Sequence, residues 1–430
     1  MTIREKFESR KNDNKYNTSY PLSPEDWKEY EVSGELKFDT SKPISFYIHI
    51  PFCNSLCKFC EYTRTKTPDS SVINQYLLTL ENDIDRFISK NGYIKLMGFD
   101  IGGGTPTSLS DGEFSKLLRI YSKTRKKCNI YDDDYISSIE STFQSITRDK
   151  IDMIYNAGIR RISFGLQSSD EKLMKCLGRT SNDNSDLGLT QIVSYAQNKG
   201  LKVNIDIMYG LKQASYRSIL ESVARDMEKI KELDPYQVTL YEFRPNMSDH
   251  NITLDKDKLY LYYYTFYYLL RELGYKSVFG RNTFSKNSYD WGISSYLKSR
   301  MIFGTQYKGF GISAQSMSRY GVSYNIGKGS KDIDKLISNS KTYENDRYYK
   351  LSMSELLSKF IAISGYSGRI YVPAADKFTE YGDFLKEFEE EIDFLKREKL
   401  ITVDYIRRSV TVTDEGFKYY GAIFSLFYRR

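Results

Sequence analysis

The chain has 430 residues, of which 40% are hydrophobic, 15% aromatic and 28% charged, and its net charge is +7. This length predicts two or three domains of about 150 residues each. Charges of both signs are interleaved without a basic arm or stripe, so we expect no nucleic-acid partner. The longest apolar run, Leu259–Leu270, is too short to cross a bilayer, and the polar start lacks a secretory core. The sequence thus predicts a cytoplasmic protein without a membrane segment.

The first 245 residues show a change from polar sequence to a regular alternation. Residues 1–42 are polar and rich in turn signals, which indicates an N-terminal extension. In the next segment, 43–245, short apolar runs alternate with amphipathic helical stretches, and six such runs occur. The runs are residues 45–52, 94–104, 135–142, 161–168, 201–211 and 236–243. Strands that alternate with helices predict an α/β fold with a parallel sheet, and six units suit an incomplete (β/α)6 barrel.

The alternation fades after about residue 245. Residues 246–345 contain a tyrosine-rich helix, a glycine string at Tyr307–Ser316 and a polar stretch from 324, and we interpret them as a barrel extension and linker. Residues 346–430 are mostly helical by their periodicity, with a two-stranded wing at 401–416. The pattern predicts a small, winged-helix-like C-terminal domain.

Three cysteines lie close together after the first strand, in the string SFYIHIPFCNSLCKFCEYT. Cys53, Cys57 and Cys60 have the spacing C-x3-C-x2-C in a chain with five cysteines. Three thiolates on one loop can bind three irons of a [4Fe–4S] cube and leave the fourth iron open to a small molecule. A structural zinc site usually has four ligands, and an odd number of cysteines without a signal peptide disfavours disulfides. Cys128 and Cys176 stand alone and are expected to be structural.

This cysteine spacing, with Phe59 before the third cysteine, resembles the radical S-adenosylmethionine (SAM) superfamily. The string YIHIPFC is similar to the branch of oxygen-independent coproporphyrinogen III dehydrogenases, and the resemblance extends from Lys15–Pro21 to the C-terminus. It implies an incomplete (β/α)6 radical SAM barrel with a mostly helical, winged-helix-like C-terminal domain. The implied cofactors are a [4Fe–4S] cluster on Cys53, Cys57 and Cys60 and SAM, in one or two molecules. A small-molecule substrate and an electron donor of flavodoxin or ferredoxin type are also implied.

The resemblance also assigns SAM contacts to residues at predicted strand ends. For the first SAM these are Tyr47, Gly103, Gly104, Thr105, Glu140, Gln167, Arg179 and Asp206. For a second SAM they are Met208, Gly311, Ile312 and Gln315. Judged from the residues alone, the glycines also suit a tight turn, the acids a solvated strand end and the arginine an ordinary surface position.

Two departures from the dehydrogenase pattern bear on the reaction. Cys60 is followed by Glu61-Tyr62-Thr63 instead of Gly-Cys-Asn, and the later His-Phe-Ala-Arg-Pro string is Asn282–Lys286 here. Such a loop looks closer to relatives that methylate or cyclopropanate an sp2 carbon with two SAM molecules. We therefore expect a class C methyltransferase-like enzyme acting on an aromatic or tetrapyrrole substrate. The candidate bases are Tyr62, Tyr241 and Glu242.

Two other functions remain open at this point. One is oxidative decarboxylation of coproporphyrinogen III on the same scaffold. The other is a haem-binding chaperone without enzymatic activity, which the scarcity of histidine, two residues in the chain, disfavours.

Overall fold

The computed structural model describes residues 1–17, 20–132, 134–179, 188–213, 215–244, 254–329, 331–338 and 347–428. Parts of several predicted segments lie outside these residues. They are Thr18 and Ser19 of the N-terminal string, positions 133, 180–187 and 214 of the barrel segment, the domain boundary at 245 with positions 246–253 after it, positions 330 and 339–345 of the linker, and positions 346, 429 and 430 of the C-terminal segment.

Strands and helices alternate along most of the described chain. The strands are β1 (Glu31–Val32), β2 (Ile44–Ile50), β3 (Phe52–Cys53), β4 (Thr65–Lys66), β5 (Lys95–Gly103), β6 (Asn129–Ile130), β7 (Ser138–Ser141), β8 (Arg161–Gln167), β9 (Lys202–Tyr209), β10 (Gln237–Glu242), β11 (Thr283–Ser285), β12 (Tyr307–Phe310), β13 (Gln315–Ser318), β14 (Gly321–Tyr324), β15 (Arg347–Tyr349), β16 (Arg369–Tyr371), β17 (Ile401–Asp404) and β18 (Ser409–Val412). The helices are α1 (Ile3–Arg10), α2 (Pro24–Glu29), α3 (Ser70–Asn91), α4 (Asp111–Lys126), α5 (Arg148–Asn156), α6 (Glu171–Cys176), α7 (Leu189–Asn198), α8 (Tyr216–Leu233), α9 (Lys256–Glu272), α10 (Ser295–Met301), α11 (Ile333–Ser338), α12 (Met353–Gly365), α13 (Val372–Ala375), α14 (Phe384–Glu387), α15 (Glu389–Arg397) and α16 (Tyr420–Ser425).

One large sheet organises the fold. Its order is β1-β15-β14-β13-β12-β2-β5-β7-β8-β9-β10-β11, with β6 beside β5. The six predicted runs form β2, β5, β7, β8, β9 and β10, which lie side by side, parallel and in chain order. Strand β12 returns to pair parallel with β2. Within the described residues the ends of this path do not pair with each other, so the α/β barrel is open, as the six-unit pattern predicts.

The barrel helices have one apolar face that packs on the sheet, and capping residues define where they begin and end. Helix α8 buries Ile219, Val223 and Ile230 along one face, the spacing expected of a helix packed on a sheet. Ser215 caps its start, since its Oγ accepts the N–H of Ser218 at 3.1 Å. The left-handed Asp234 ends it. The predicted tyrosine-rich helix forms as α9, but only one face of it is buried.

The end of the barrel formed by the strand starts is filled by the segment 290–301, which includes α10. Arg161, the first residue of β8, donates to the carbonyl of Gly292 at 3.4 Å and to Gln237 at 2.7 Å. Gln237 in turn donates to Asp290 at 2.6 Å. Gly98 of β5 has no side chain because a Cβ there would lie 2.3 Å from the backbone N of Tyr296. The barrel therefore has a floor made of hydrogen-bonded polar groups.

The C-terminal region is mostly helical, as predicted, and the expected two-stranded wing forms with a third strand beside it. Strands β17 and β18 are antiparallel, with Ile401 opposite Val412, and β16 adds a third strand. The N-terminal extension packs here, since Phe7 of α1 contacts Phe394 with a ring-centroid distance of 6.0 Å. No helix in the described part of the chain is long and apolar enough to cross a membrane.

Candidate active site at the strand ends

The cysteine loop follows β2 at the end of the barrel opposite the floor. Cys53 lies at the end of β3, opposite Lys66 of β4, and is 7% exposed, while Cys57 and Cys60 are partly buried. Arg64 stabilises the loop, because its guanidinium donates to the carbonyl of Cys60 at 2.7 Å and also to the carbonyl of Cys57. This arginine was not singled out from sequence, since no local pattern marks a residue that binds backbone carbonyls.

The donor set fits a [4Fe–4S] cluster better than a single metal ion. Within the described ranges, no three His, Cys, Asp or Glu side chains converge on one ion position. A cube does not require such convergence, because each thiolate binds a different iron. Space is available beside Cys53, where Gly104 has no side chain and a Cβ would lie 2.9 Å from the sulfur. The predicted Thr105 donates to the same sulfur at 3.6 Å.

The glycine string after β5 brings backbone against the cysteine loop and against Glu140. Gly104 donates its N–H to the carbonyl of Ile50 at 2.7 Å, and Gly103 donates to the Glu140 carboxylate at 2.8 Å. Gly103 has φ +115°, and a Cβ there would lie 2.6 Å from the ring of His49. Only glycine allows both this conformation and this approach. Gly103 and Gly104 can therefore form the predicted tight turn and also contact a ligand such as SAM.

His49 supports the same region from β2. Its Nε2 lies 2.7 Å from the carbonyl oxygen of Thr63, which can only accept, so Nε2 carries the proton. Burial lowers the pKa of His49 to about 4. The neutral ring thus links the glycine string to the chain just after the last cysteine.

Glu140 and Asp206 bring two carboxylates into the barrel lumen. Burial, with smaller contributions from the negative Asp206 and Asp100, raises the pKa of Glu140 to about 7 against the opposing effect of the Gly103 hydrogen bond. Burial also raises the pKa of Asp206 to about 6, although Ser163 donates to it at 2.9 Å. The Glu140 side chain is open to water from inside the lumen. Such acids gain from a cationic or hydroxylic ligand that would take the place of lost hydration.

Gln167 and Arg179 converge on Gly165 at the end of β8. The strand pairing shifts between Gly165 and Gln167, and Gln167 adopts φ +69°. Arg179 is 7% exposed and donates to the Gly165 carbonyl. Burial lowers the pKa of Arg179, while the thiols of the cysteine loop and Asp206 act in the opposite direction. The structure therefore places this arginine beside the cysteine loop rather than on the outer surface.

Three tyrosines line a water-accessible lumen. Tyr62 is 63% exposed and Tyr241 is 37% exposed, yet burial among protein groups raises the pKa of both. Tyr47 stacks on Tyr296 with a centroid distance of 5.5 Å. Tyr62 and Tyr241 are thus open to water and yet surrounded by protein groups, as expected of side chains that face a deep cavity. The candidate base Glu242 differs, because its carboxylate accepts the hydroxyl of Tyr420 at 2.8 Å at the C-terminal domain.

The four residues assigned to a second SAM lie in three different surroundings. Met208 packs with Leu211 and Phe243 in an apolar cluster that Phe59 of the cysteine loop joins. A Cβ on Gly311 would lie 2.6 Å from the His49 carbonyl oxygen, and the Ile312 side chain is fully buried in the core. Gln315 accepts from Arg300 at 3.0 Å. The Ile312 N–H donates to the Tyr76 hydroxyl at 3.2 Å, and the Gly311 carbonyl accepts from Asn325 at 2.8 Å, so these two backbone groups are already paired within the protein.

The sequence of residues 47–225 matches the Radical SAM superfamily. This segment is a radical SAM domain. It contains the cysteine loop, the glycine string, Glu140, Gln167, Arg179 and Asp206. The cofactors of this family are a [4Fe–4S] cluster and SAM.

Relatives of known name share this radical SAM domain. The oxygen-independent coproporphyrinogen III oxidase of Salmonella typhimurium is 29% identical over 238 residues, covering 53% of this chain and 48% of the relative. The heme chaperone HemW of Bacillus subtilis is 28% identical over 180 residues, covering 42% of this chain and 46% of the relative. The aligned part thus spans about half the length of these curated relatives. The structure of coproporphyrinogen III oxidase (HemN) from Escherichia coli superposes with a TM-score of 0.70 at 21% identity, covering 90% of both chains. That likeness confirms the fold.

Proposed function

We propose that this chain is a radical SAM enzyme that oxidatively decarboxylates coproporphyrinogen III or a closely related carboxylated tetrapyrrole. One observation carries the proposal: the Cys53 sulfur, the Gly103–Gly104 backbone and the Glu140 carboxylate meet at adjoining strand ends. The names of the sequence relatives support the choice of substrate. An electron donor of flavodoxin or ferredoxin type and a cytoplasmic location belong to the same proposal.

The roles of the chain's residues follow from their chemistry. Cys53, Cys57 and Cys60 would hold the cluster, which together with SAM supplies a reducing electron and a group that abstracts a hydrogen atom. Arg179 offers a guanidinium suited to the methionyl carboxylate of SAM. Glu140 gains an ion pair from the methionyl ammonium group, which would lower the raised pKa of Glu140.

Methyl transfer with two SAM molecules is the second candidate. It is favoured by Tyr62, which follows Cys60 by two positions and exposes its phenol in the lumen. It has less support than oxidation, since Met208 and Gln315 lie in different surroundings. The curated relatives described above are an oxidase and a chaperone by name.

The first experiment tests the cluster. Protein reconstituted under anaerobic conditions should bind close to four irons per chain, as expected of one [4Fe–4S] cluster. Replacement of Cys53, Cys57 and Cys60 together by Ala should abolish the iron–sulfur absorption, and the buried Cys128→Ala serves as the matched control. Loss of the absorption in Cys128→Ala would contradict the assignment.

The second experiment separates the reactions. The reduced protein receives coproporphyrinogen III and SAM with a trideuterated methyl group, and the products are analysed by mass spectrometry. Oxidative decarboxylation should release CO2 and unlabelled 5′-deoxyadenosine without S-adenosylhomocysteine. Deuterium in 5′-deoxyadenosine together with S-adenosylhomocysteine would establish methyl transfer instead. Absence of 5′-deoxyadenosine together with haem binding would favour the chaperone function.

A further inference from the structure

Two ammonium groups from separate parts of the chain lie over one indole ring, and a guanidinium acts electrostatically on one of them. The ammonium group of Lys328 lies 3.9 Å from the centre of the Trp27 ring, and that of Lys359 lies 5.4 Å from the same point. Arg300 of α10 is the third member, because its charge and that of Lys328 both act on Lys359. We call Arg300, Lys328 and Lys359 the cation cluster. Helices α2, α10 and α12 and the chain after β14 contribute to it.

The cation cluster has no counter-charge among the described residues. Lys359 is 3% exposed, and within the described ranges no hydrogen bond or ion pair accounts for its ammonium group. Its electrostatic neighbours are the other two cations, and burial lowers its pKa well below the usual value. Burial alone lowers the pKa of Lys328 to about 8. Arg300 differs, because its guanidinium donates to Gln315 at 3.0 Å, although its Nε is buried without a partner. Burial of the Lys359 ammonium without a counter-charge is costly, and an anion bound at the site would offset this cost.

Arg300 connects the cation cluster to groups of the candidate site. The Arg300 guanidinium lies 4.8 Å from the centre of the Tyr307 ring and donates to Gln315 at 3.0 Å. Tyr62, which faces the lumen just after Cys60, is among the groups that act electrostatically on Arg300. Lys328 is exposed. Lys328 is thus the exposed member of the cluster and Lys359 the buried one.

We propose that Arg300, Lys328 and Lys359 form an anion site that binds a carboxylate of the substrate and so fixes the orientation of the substrate in the lumen. This inference rests on the proposed function, which supplies a substrate with several carboxylates. Guanidinium and ammonium groups give charge-assisted hydrogen bonds to carboxylates, and the Trp27 ring keeps the two lysines on one side of the site. The methionyl carboxylate of a second SAM has the same chemistry, so the test must distinguish the two sources.

The test uses coproporphyrin III, the stable oxidised form of the proposed substrate, and its uncharged tetraamide. Fluorescence anisotropy measures the affinity of both probes for the wild type, for Lys359→Met and for Lys231→Met, an exposed lysine on α8 that serves as the control. Lys359→Met should weaken binding of the acid about tenfold or more, as expected for one charged hydrogen bond, and leave the tetraamide unaffected. Lys328→Met should act in the same direction.

A second readout separates a binding role from a structural one. Because the Lys359 ammonium is buried without a counter-charge, Lys359→Met should raise the melting temperature of the ligand-free protein. A lower melting temperature with unchanged affinity for coproporphyrin III would overturn the proposal. Equal affinity of the wild type for the acid and the tetraamide would do so too. Loss of one bound SAM in equilibrium dialysis of Lys359→Met, with unchanged porphyrin affinity, would assign the site to SAM and refute the substrate assignment.

Reductive cleavage of SAM is measured in the same preparations. The cation cluster touches none of the groups assigned to the first SAM, so Lys359→Met should form 5′-deoxyadenosine without substrate at the wild-type rate. A wild type that binds coproporphyrin III through Lys359 but never cleaves SAM would refute the proposed function and support the anion site. A wild-type protein that cleaves SAM but binds the acid and the tetraamide equally well would support the proposed function and refute the anion site.

Discussion

The buried His49 predicts a loss of stability in mildly acidic solution. Its pKa is about 4 in the folded protein and 6.5 ordinarily. Above about pH 6.5 the ring is neutral in both states. Below that pH the unfolded chain binds a proton that the folded protein excludes, so the free energy of unfolding falls until about pH 4. At about 1.4 kcal/mol per unit, the expected loss between pH 7 and pH 4.5 is about 2.5 kcal/mol.

Urea denaturation of the metal-free protein, followed by circular dichroism at both pH values, measures this loss. His49→Gln should be less stable at pH 7, because the Thr63 hydrogen bond changes, but its stability should decline less on acidification. The carboxylates titrate in both proteins, so the difference between the two pH profiles reports His49. The same pH dependence in both proteins would refute the reasoning and mean that the buried ring can be protonated in place.

Three further outcomes follow from the geometry of the candidate site. Arg64→Met should shorten the lifetime of the cluster absorption in air, because two loop carbonyls lose their donor; an unchanged lifetime would contradict this. Gly104→Ala should lower the bound iron to less than half, since its Cβ would lie 2.9 Å from the Cys53 sulfur, whereas Gly112→Ala, with open space around its Cβ, should have no effect. Glu140→Gln should weaken SAM binding about 10- to 150-fold in equilibrium dialysis, and wild-type affinity would remove Glu140 from the SAM site.

The parts of the fold that depend on local periodicity could be predicted from the sequence. The six strands follow from apolar runs between amphipathic stretches, and α8 could be bounded because its cap, its buried stripe and its end all lie within the segment 215–234. The cysteine loop and the glycine string carry their spacing in a few consecutive residues. For these elements, the residues that determine the structure lie within the element itself.

The features that depend on distant residues could not be predicted in this way. The floor requires Arg161, Gln237 and Asp290 to meet, and each of them looks like an ordinary polar residue in its own surroundings. The cation cluster draws Lys328 from a stretch interpreted as a polar linker and pairs it with Trp27 of the N-terminal extension. No periodic pattern marks such residues, because their common property is a shared position in space.

The floor has a consequence for the order in which ligands enter. Asp290, Gly292 and Ser294, just before α10, close the strand-start end of the barrel through hydrogen bonds to several strands. We therefore expect SAM and the substrate to enter through the opposite end, above the cysteine loop and Tyr62. A molecule bound beside Glu140 is covered by the molecule that binds after it. The first molecule can therefore dissociate only after the second has left. We therefore expect ordered rather than random kinetics. SAM should bind first, and the fragments of SAM should leave last.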